Sequence, residues 1–390
     1  MKILYIHNSY AGNNSGEEHA AEGLAYLLTQ NGHEVSWYRR SSDEIAQSKF
    51  GAVKAFFTGI YNPVAVAEIK RILEDFKPDL VQIQNIYPLI SPAIFGMIKK
   101  MGIPIVMRCP NYRLFCPNGL HLDTKGKVCE SCLGKGREWN GVSKNCESSR
   151  LKSTGYALRN FFARAFWKIQ DDVDAFIVQS EFQKQKFIQN GIPEKKLFIV
   201  PGLTPSVPKN ETKLGDLVSF VGRISPEKGI IEFLEAARNL PEITFAIAGG
   251  VDESFQGLVK SSPPNVQWKG YLKGNELDQF YQDSRIIVVP GKWYEGFPNV
   301  ITRAMQHSKP VITSNLGAMA SIIDHEINGL LVEPGHSSQL STVIGRLYNN
   351  PELCKQFGKA GFLKAQENYS REIIYQNLLN VYSSLPIKVA

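Results

Sequence analysis

Short apolar runs of three to six residues alternate with helix-forming stretches along the whole of this 390-residue chain. In the first half they fall at residues 3–6, 34–38, 80–83, 105–107, 176–178 and 197–200. In the second half they fall at residues 217–221, 243–248, 266–268, 286–289, 311–313 and 330–332. Runs this short, rich in β-branched residues and separated by helices, imply βαβ units and parallel sheets. The predicted class is α/β, with two Rossmann-like doubly wound domains. A Pro- and Gly-rich stretch at residues 200–208, VPGLTPSVP, falls near mid-chain and reads as the linker. It divides the chain into domains over residues 1–202 and 203–370, followed by an amphipathic helix over residues 371–390. Ligands in such sheets bind outside the carboxyl ends of the strands.

Hydrophobic residues make up 43% and charged residues 21%, ordinary for a soluble protein with a sizeable core. The first eight residues, MKILYIHN, read as a first strand rather than a secretory signal, and no apolar run has the length of a membrane span. A cytoplasmic protein is expected. The net charge of +7 suits phosphorylated substrates, an anionic membrane face or nucleic acid. Residues 150–170 hold Arg150, Lys152, Arg159, Arg164 and Lys168 with interleaved aromatics and no acid. The expectation is a helix packing Leu158, Phe162, Ala165, Phe166 and Ile169 into the core, with a membrane-lying helix as the alternative. Residues 54–61, KAFFTGIY, are again basic and aromatic.

The chemistry concentrates in residues 293–303, WYEGFPNVITR, which follow an apolar run closed by Pro290 and Gly291 and lead into a helix. A strand, a loop and a helix start in that order set the carboxylate of Glu295 beside exposed amides at Phe297, Pro298, Asn299 and Val300. A helix start favours an anion, while Glu295 can accept hydrogen bonds from a polyol. A nucleotide sugar offers both groups. The segment 220–229, FVGRISPEKG, ends a strand in Gly222 and brings Arg223 and Lys228 to a helix start, where two cations suit a diphosphate. Gly249, in the pair Gly249-Gly250 after another run, permits close backbone approach.

These segments resemble those of the retaining glycosyltransferases of family 4, along nearly the whole chain. The resemblance implies a GT-B fold, with two Rossmann-like domains facing across a cleft and the last helix crossing back to the first domain. It implies transfer of a sugar, with retention and without a catalytic metal, from a nucleotide-diphosphate sugar to a hydroxyl. Arg223 and Lys228 would bind the donor diphosphate, Glu295 the donor sugar, and Gly16 of the loop at residues 11–18 the phosphate or acceptor. The family carries a second glutamate, on the ribose, where this chain has Arg303, which accepts no hydrogen bond and pairs instead with a phosphate or a carboxylate. Where many members have a histidine after the fourth strand, this chain has Arg108 and Asn111, taken as acceptor-side residues. By analogy with bacterial members, the acceptor is a lipid-linked or oligosaccharide intermediate of cell-surface polysaccharide or glycolipid assembly, reached by peripheral contact at the inner face of the membrane. The Asp172-Val173-Asp174 triplet precedes a strand and is not read as a metal site.

Four of the six cysteines, Cys116, Cys129, Cys132 and Cys146, lie in a Cys-rich insertion over residues 109–150 with little periodicity. Their spacing is that of ribbon-like zinc ligands, and a structural zinc would staple a segment without a core. Cys109 and Cys354 are read as buried thiols. Two other functions compete with glycosyl transfer. One is a non-catalytic sugar-nucleotide- or partner-binding protein, suggested by Arg303 and the missing histidine. The other is a zinc-dependent nucleic-acid binder, set aside because no recognition-helix pattern follows Cys146.

Overall fold

A computed structural model describes residues 1–12, 16–47, 50–204 and 214–387. Asn13, Asn14 and Ser15 of the first glycine loop, and residues 205–208 of the expected linker, therefore lie outside the described residues. The chain divides into two compact units. The first comprises Met1–Thr124, Cys129–Leu203 and Ile374–Ala390, and the second Lys125–Val128 and Thr204–Ile373.

Each unit is built on a six-stranded parallel sheet, as the alternating runs lead one to expect. In the first unit the strands are β1 (Lys2–Ser9), β2 (Glu34–Ser41), β3 (Leu80–Ile83), β4 (Ile105–Arg108), β5 (Ala175–Val178) and β6 (Leu197–Ile199). In the second they are β7 (Leu217–Val221), β8 (Phe245–Ala248), β9 (Val266–Gly270), β10 (Ser284–Val289), β11 (Val311–Ser314) and β12 (Gly329–Val332). The strand orders are β2-β1-β3-β4-β5-β6 and β12-β11-β10-β7-β8-β9. The chain reverses its direction of travel between β1 and β3 in one sheet and between β7 and β10 in the other. Such switch points open a crevice at the carboxyl ends of the strands.

Six helices matter to the site and its surroundings: α1 (Gly16–Gln30), α2 (Gly51–Ile60), α3 (Arg150–Phe161), α4 (Ile230–Asn239), α5 (Asn299–Gln306) and α6 (Arg371–Ser383). Helix α1 buries Ala21, Leu24, Ala25 and Leu28, one helical stripe, on the first sheet. The second unit's core joins Ile230, Phe233 and Leu234 of α4 to Phe220, Phe245 and Ile247 of the strands. Helix α6 places Ile374, Leu378, Val381 and Tyr382, at helical spacing, in one core cluster with Ile3, Tyr5, Leu24 and Ile177. The Tyr382 hydroxyl donates to Gln82 Oε1, and Gln82 Nε2 donates to the Tyr5 hydroxyl at 2.8 Å.

The expected core face of residues 150–170 needs correction. Ile169 is buried, but Phe166 is 66% exposed and Ala165 also faces solvent. The backbone widens to a π-helical turn over Phe162–Phe166 directly after α3. A π turn shifts the register that α-helical spacing assumes, so the stripe breaks there. Asp174 is structural: its carboxylate holds Lys99 Nζ at 2.5 Å and accepts from the Ile105 amide at 2.9 Å. Cys109 and Cys354 are buried, and Trp268 packs against the second unit's core with Nε1 donating to Ser262 Oγ at 3.0 Å.

Candidate active site

In the second unit, the switch point between β7 and β10 gathers most of the residues singled out from the sequence. Strand β7 is followed directly by Gly222, whose φ of +148° is left-handed-side backbone that favours glycine. A Cβ on Gly249, at the end of β8, would stand 2.0 Å from the Gly222 carbonyl oxygen, so the two strand ends approach as only glycine allows. Gly229, with φ of +78°, likewise abuts Pro290 at the end of β10, where a Cβ would meet the Pro290 carbonyl oxygen at 1.9 Å. The Lys292 amide donates to the Glu227 carbonyl at 2.8 Å and locks the loop after β10 to the turn after β7.

That lock brings Lys228 and Glu295 into direct contact, Lys228 Nζ donating to Glu295 Oε1. Glu295 is buried, at 8% exposure, and its Oε1 also accepts from Trp293 Nε1 at 3.0 Å. The Lys228 ammonium lies 5.1 Å from the centre of the Trp293 ring. Arg223 stands on the same turn, but its side chain is 60% exposed and its guanidinium pairs with Glu227 at 2.7 Å rather than joining Lys228. In the same loop Lys292 holds Glu232 of α4 at 2.7 Å.

The start of α5 offers fewer donors than residues 297–300 suggest. Pro298 has no N–H, and the Asn299 amide donates to the Phe297 carbonyl at 3.1 Å. The amides of Phe297 and Val300 are what remain of that run. Phe297 also packs edge-on against Tyr369, ring centres 5.6 Å apart. Arg303 takes the carboxylate option: its Nη2 lies 2.7 Å from Asp278 Oδ1, which His307 Nε2 approaches at 3.1 Å. The Tyr281 ring stacks on His307 at 5.1 Å, completing a partly buried cluster beside α5.

In the first unit, Gly16 opens α1, and a Cβ there would meet nothing within 4 Å. The end of β4, the β3 loop and the first turn of α1 line a small cavity with Glu17, Gln84, Arg108, Asn111 and Arg113. Arg108 is fully buried, its Nη1 3.4 Å from Gln84 Oε1 and its Nε and Nη2 without a hydrogen-bond partner. Burial pulls its guanidinium below the usual arginine value, and burial raises Glu17 above the usual carboxylate value. Asn111 Nδ2 donates to Glu17 Oε2 at 3.3 Å, the Tyr10 hydroxyl donates to the same oxygen at 3.1 Å, and Arg113 Nη1 donates to the Tyr10 hydroxyl at 2.7 Å. Asn111 thus belongs to a polar network at the cavity, and Arg108, although buried, lines the same cavity.

The four cysteines form one neighbourhood without a metal-ready geometry. Cys129 N donates to the His121 carbonyl at 2.7 Å, Cys146 N donates to the Gly141 carbonyl at 3.0 Å, and a Cβ on Gly141 would stand 3.1 Å from Pro117, next to Cys116. The Cys132 thiol is raised to about 12 by burial and then by Cys116, Cys146 and Cys129, and the Cys146 thiol to about 11 by burial and then by Cys116 and Cys129. Burial also raises Cys129, but hydrogen bonds from Ser131 and Lys144 outweigh it, and its thiol falls below the usual value. Lys144 Nζ lies 3.3 Å from Cys129 Sγ. Among the described residues no group of three or more His, Cys, Asp or Glu side chains stands ready to hold a metal ion, and no helix is long and apolar enough to cross a membrane.

The sequence reasoning missed Trp293, Glu17, Tyr10 and Arg113. Trp293 lies within the segment already singled out, two residues from Glu295. Glu17 directly follows Gly16, so an acid in the first turn of α1 was the available signal.

This architecture is the two-domain α/β fold of the GT-B glycosyltransferases. It is shared with HepE of Anabaena, solved in complex with UDP, at a TM-score of 0.66 and 17% identity over 99% of this chain and 100% of that one. Residues 206–364 match the family model described as Glycosyl transferases group 1. The chain is 27% identical over 267 residues to an uncharacterized 42.6 kDa protein in the cps region of Klebsiella pneumoniae, covering 67% of this chain and 64% of that one. It is also 27% identical over 179 residues to CapM, a capsular polysaccharide biosynthesis glycosyltransferase of Staphylococcus aureus, covering 43% and 46%. The matches thus span less than two thirds of the length of either curated relative.

Proposed function

We propose that this protein is a glycosyltransferase that moves a sugar from a nucleotide-diphosphate donor to a hydroxyl acceptor, with retention of configuration. The observation that carries the reading is the contact between Lys228 and buried Glu295 at the β7/β10 switch point, inside the stretch that matches the group 1 model. In this reading the donor diphosphate replaces Glu295 as the counter-ion of Lys228. The freed carboxylate then accepts hydrogen bonds from the sugar hydroxyls, oriented by the indole N–H of Trp293. Arg223 leaves its exposed pairing with Glu227 for the same diphosphate. As the glycosidic bond breaks, negative charge grows on the leaving group, and two placed cations stabilise that charge more than the ground state. They supply what a divalent ion would supply, so no catalytic metal is invoked. Retention and membership of family 4 rest on the sequence resemblance.

The UDP held by the HepE structure and the polysaccharide role named for the Staphylococcus aureus relative support a nucleotide-sugar donor and an acceptor from cell-surface polysaccharide or glycolipid assembly. The acceptor, lipid-linked or oligosaccharide, binds in the first unit around Asn111 and Glu17. A lipid-linked acceptor suits a cytoplasmic protein working at the inner face of the membrane. In this reading the four cysteines draw together around a structural zinc from an arrangement in which no three of them are placed to hold one. Their shared neighbourhood and the donors directed at Cys129 support it.

A non-catalytic sugar-nucleotide-binding role is the second reading, favoured by the commitment of Arg303 to Asp278. Thermal-shift screening with UDP, GDP, ADP and CMP and their sugars, followed by turnover with the stabilising donor, separates the two. Binding with turnover that vanishes in Glu295→Gln supports transfer, and binding without turnover for any donor and acceptor supports the second reading.

A further inference from the structure

Helix α2 is amphipathic in the wrong sense for a soluble protein. Val53, Phe56 and Phe57 occupy positions i, i+3 and i+4, the stripe a surface helix ordinarily turns toward the core. Here they face solvent, at 55%, 38% and 63% exposure. The neighbouring π turn repeats the pattern with Phe166.

The two elements form one surface. Phe56 packs at Gly155 of α3, where a Cβ would meet its ring at 3.3 Å. Trp167 Nε1 donates to the Ile60 carbonyl at 3.1 Å, and its ring stacks on exposed Tyr61 with centres 5.7 Å apart and an interplanar angle of 13°. Phe166 stands edge-on to Trp167 at 4.9 Å, extending the aromatic strip from the end of α2 onto the π turn. Aromatic side chains thus lie side by side on a face that no part of the first unit covers among the described residues.

Charge identifies the occupant. Residues 50–67 and 150–170 contain no Asp or Glu. Lys54 on α2, Arg150 and Lys152 on α3, and Lys168 after the π turn are all exposed. Arg159 and Arg164 do not count toward this face, since Arg159 is buried against Tyr87 and Arg164 is paired with Glu138 at 2.6 Å. Exposed aromatics bordered by bases match the boundary between lipid headgroups and acyl chains, where rings insert and cations meet anionic headgroups. A protein partner of matching shape would need acidic groups around an apolar centre, whereas an anionic bilayer presents both layers over any area.

We infer that the face formed by α2, α3 and the π turn binds the surface of a negatively charged lipid bilayer, with Phe57 and Phe166 inserted and Lys54 and Lys152 at the headgroups. The inference deepens the proposed work at a membrane face by naming the surface that meets the lipid, and its test is separable from glycosyl transfer because vesicle binding needs neither donor nor turnover.

The test is co-sedimentation of the full chain with vesicles of phosphatidylglycerol and phosphatidylcholine, against vesicles of phosphatidylcholine alone. The wild type should pellet with the anionic vesicles and release as salt rises. Phe57→Ser/Phe166→Ser and Lys54→Glu/Lys152→Glu should each lower the partition coefficient by about tenfold or more. The four side chains are solvent-facing, so both variants should keep the wild-type circular dichroism and melting temperature. The nucleotide-induced thermal shift, measured on the same variants, reports the donor site separately. Equal binding to neutral and anionic vesicles, no binding to either, or unchanged partition in both variants overturns the inference. So does concentration-dependent dimerisation abolished by Phe57→Ser/Phe166→Ser without vesicle binding, which would assign the face to a second copy of the chain.

Discussion

Arg303 Nη2 stands 2.7 Å from Asp278 Oδ1, so the residue that replaces the expected ribose-binding glutamate is engaged within its own unit. Its side chain is only 15% exposed, and His307 shares the same carboxylate oxygen. Removing the guanidinium leaves a partly buried acid with one partner fewer. Arg303→Met should therefore lower the stability of the second unit by about 2 kcal/mol while leaving the affinity for donor nucleotide nearly unchanged. Chemical denaturation together with nucleotide titration checks both halves. A large loss of nucleotide affinity with intact stability would instead place Arg303 on the ligand.

Lys228 and Glu295 should fail differently. Lys228→Met removes charge stabilisation of the leaving diphosphate and should cost about 100-fold or more in kcat/KM. Glu295→Gln keeps the shape and loses the carboxylate, so sugar orientation suffers while nucleotide diphosphate without a sugar, no longer competing with the carboxylate for Lys228, binds at least as tightly as to the wild type. Turnover assays and titration with the free diphosphate separate the two effects.

Lys309 gives a pH signature. It is buried, its Nζ donates to the Gln282 carbonyl at 2.8 Å, and burial lowers its pKa from 10.5 to about 8. Between those values the unfolded chain holds a proton that the folded chain has released. Unfolding free energy therefore rises with pH across the window from about 8 to 10.5, by on the order of 3 kcal/mol for this group. Below pH 8 the folded state carries the cost of a buried ammonium. Lys309→Met should flatten that rise, as read from denaturation curves across the window.

The four thiols make a metal-content prediction. Protein purified without chelator should carry about one zinc per chain by elemental analysis, lost in Cys116→Ser and Cys132→Ser. Chelation should lower the melting temperature of the wild type and leave that of the variants unchanged. Four freely titrating thiols in metal-free, equally stable wild-type protein would refute the zinc site.

The sequence conveyed the fold through periodicity, since twelve short apolar runs correspond to twelve parallel strands. It also singled out the two segments whose Lys228 and Glu295 the structure brings into contact, because glycine turns and a strand–loop–helix order are local signals. What it could not convey depends on tertiary register. Phe166 lies on the expected core stripe, yet a π turn invisible to spacing rotates it into solvent. The network joining Arg113, Tyr10, Glu17 and Asn111 combines residues from two loops and a helix start, about a hundred positions apart in the chain. Arg108 ends a buried strand and lines the cavity with its Nε and Nη2 unpartnered, a setting that spacing along the chain does not report.

Helix α6 belongs to the hydrophobic core of the first unit although it follows the whole second unit along the chain. The opening sheet therefore waits for it while the entire second unit is being translated. A nascent chain still tethered to the ribosome exposes the apolar patch on Ile3, Tyr5 and Leu24 until Tyr382 and Leu385 emerge. Removing α6 and Leu385 would strand that patch for good, so a deletion there should be as damaging to solubility as a lesion in β1.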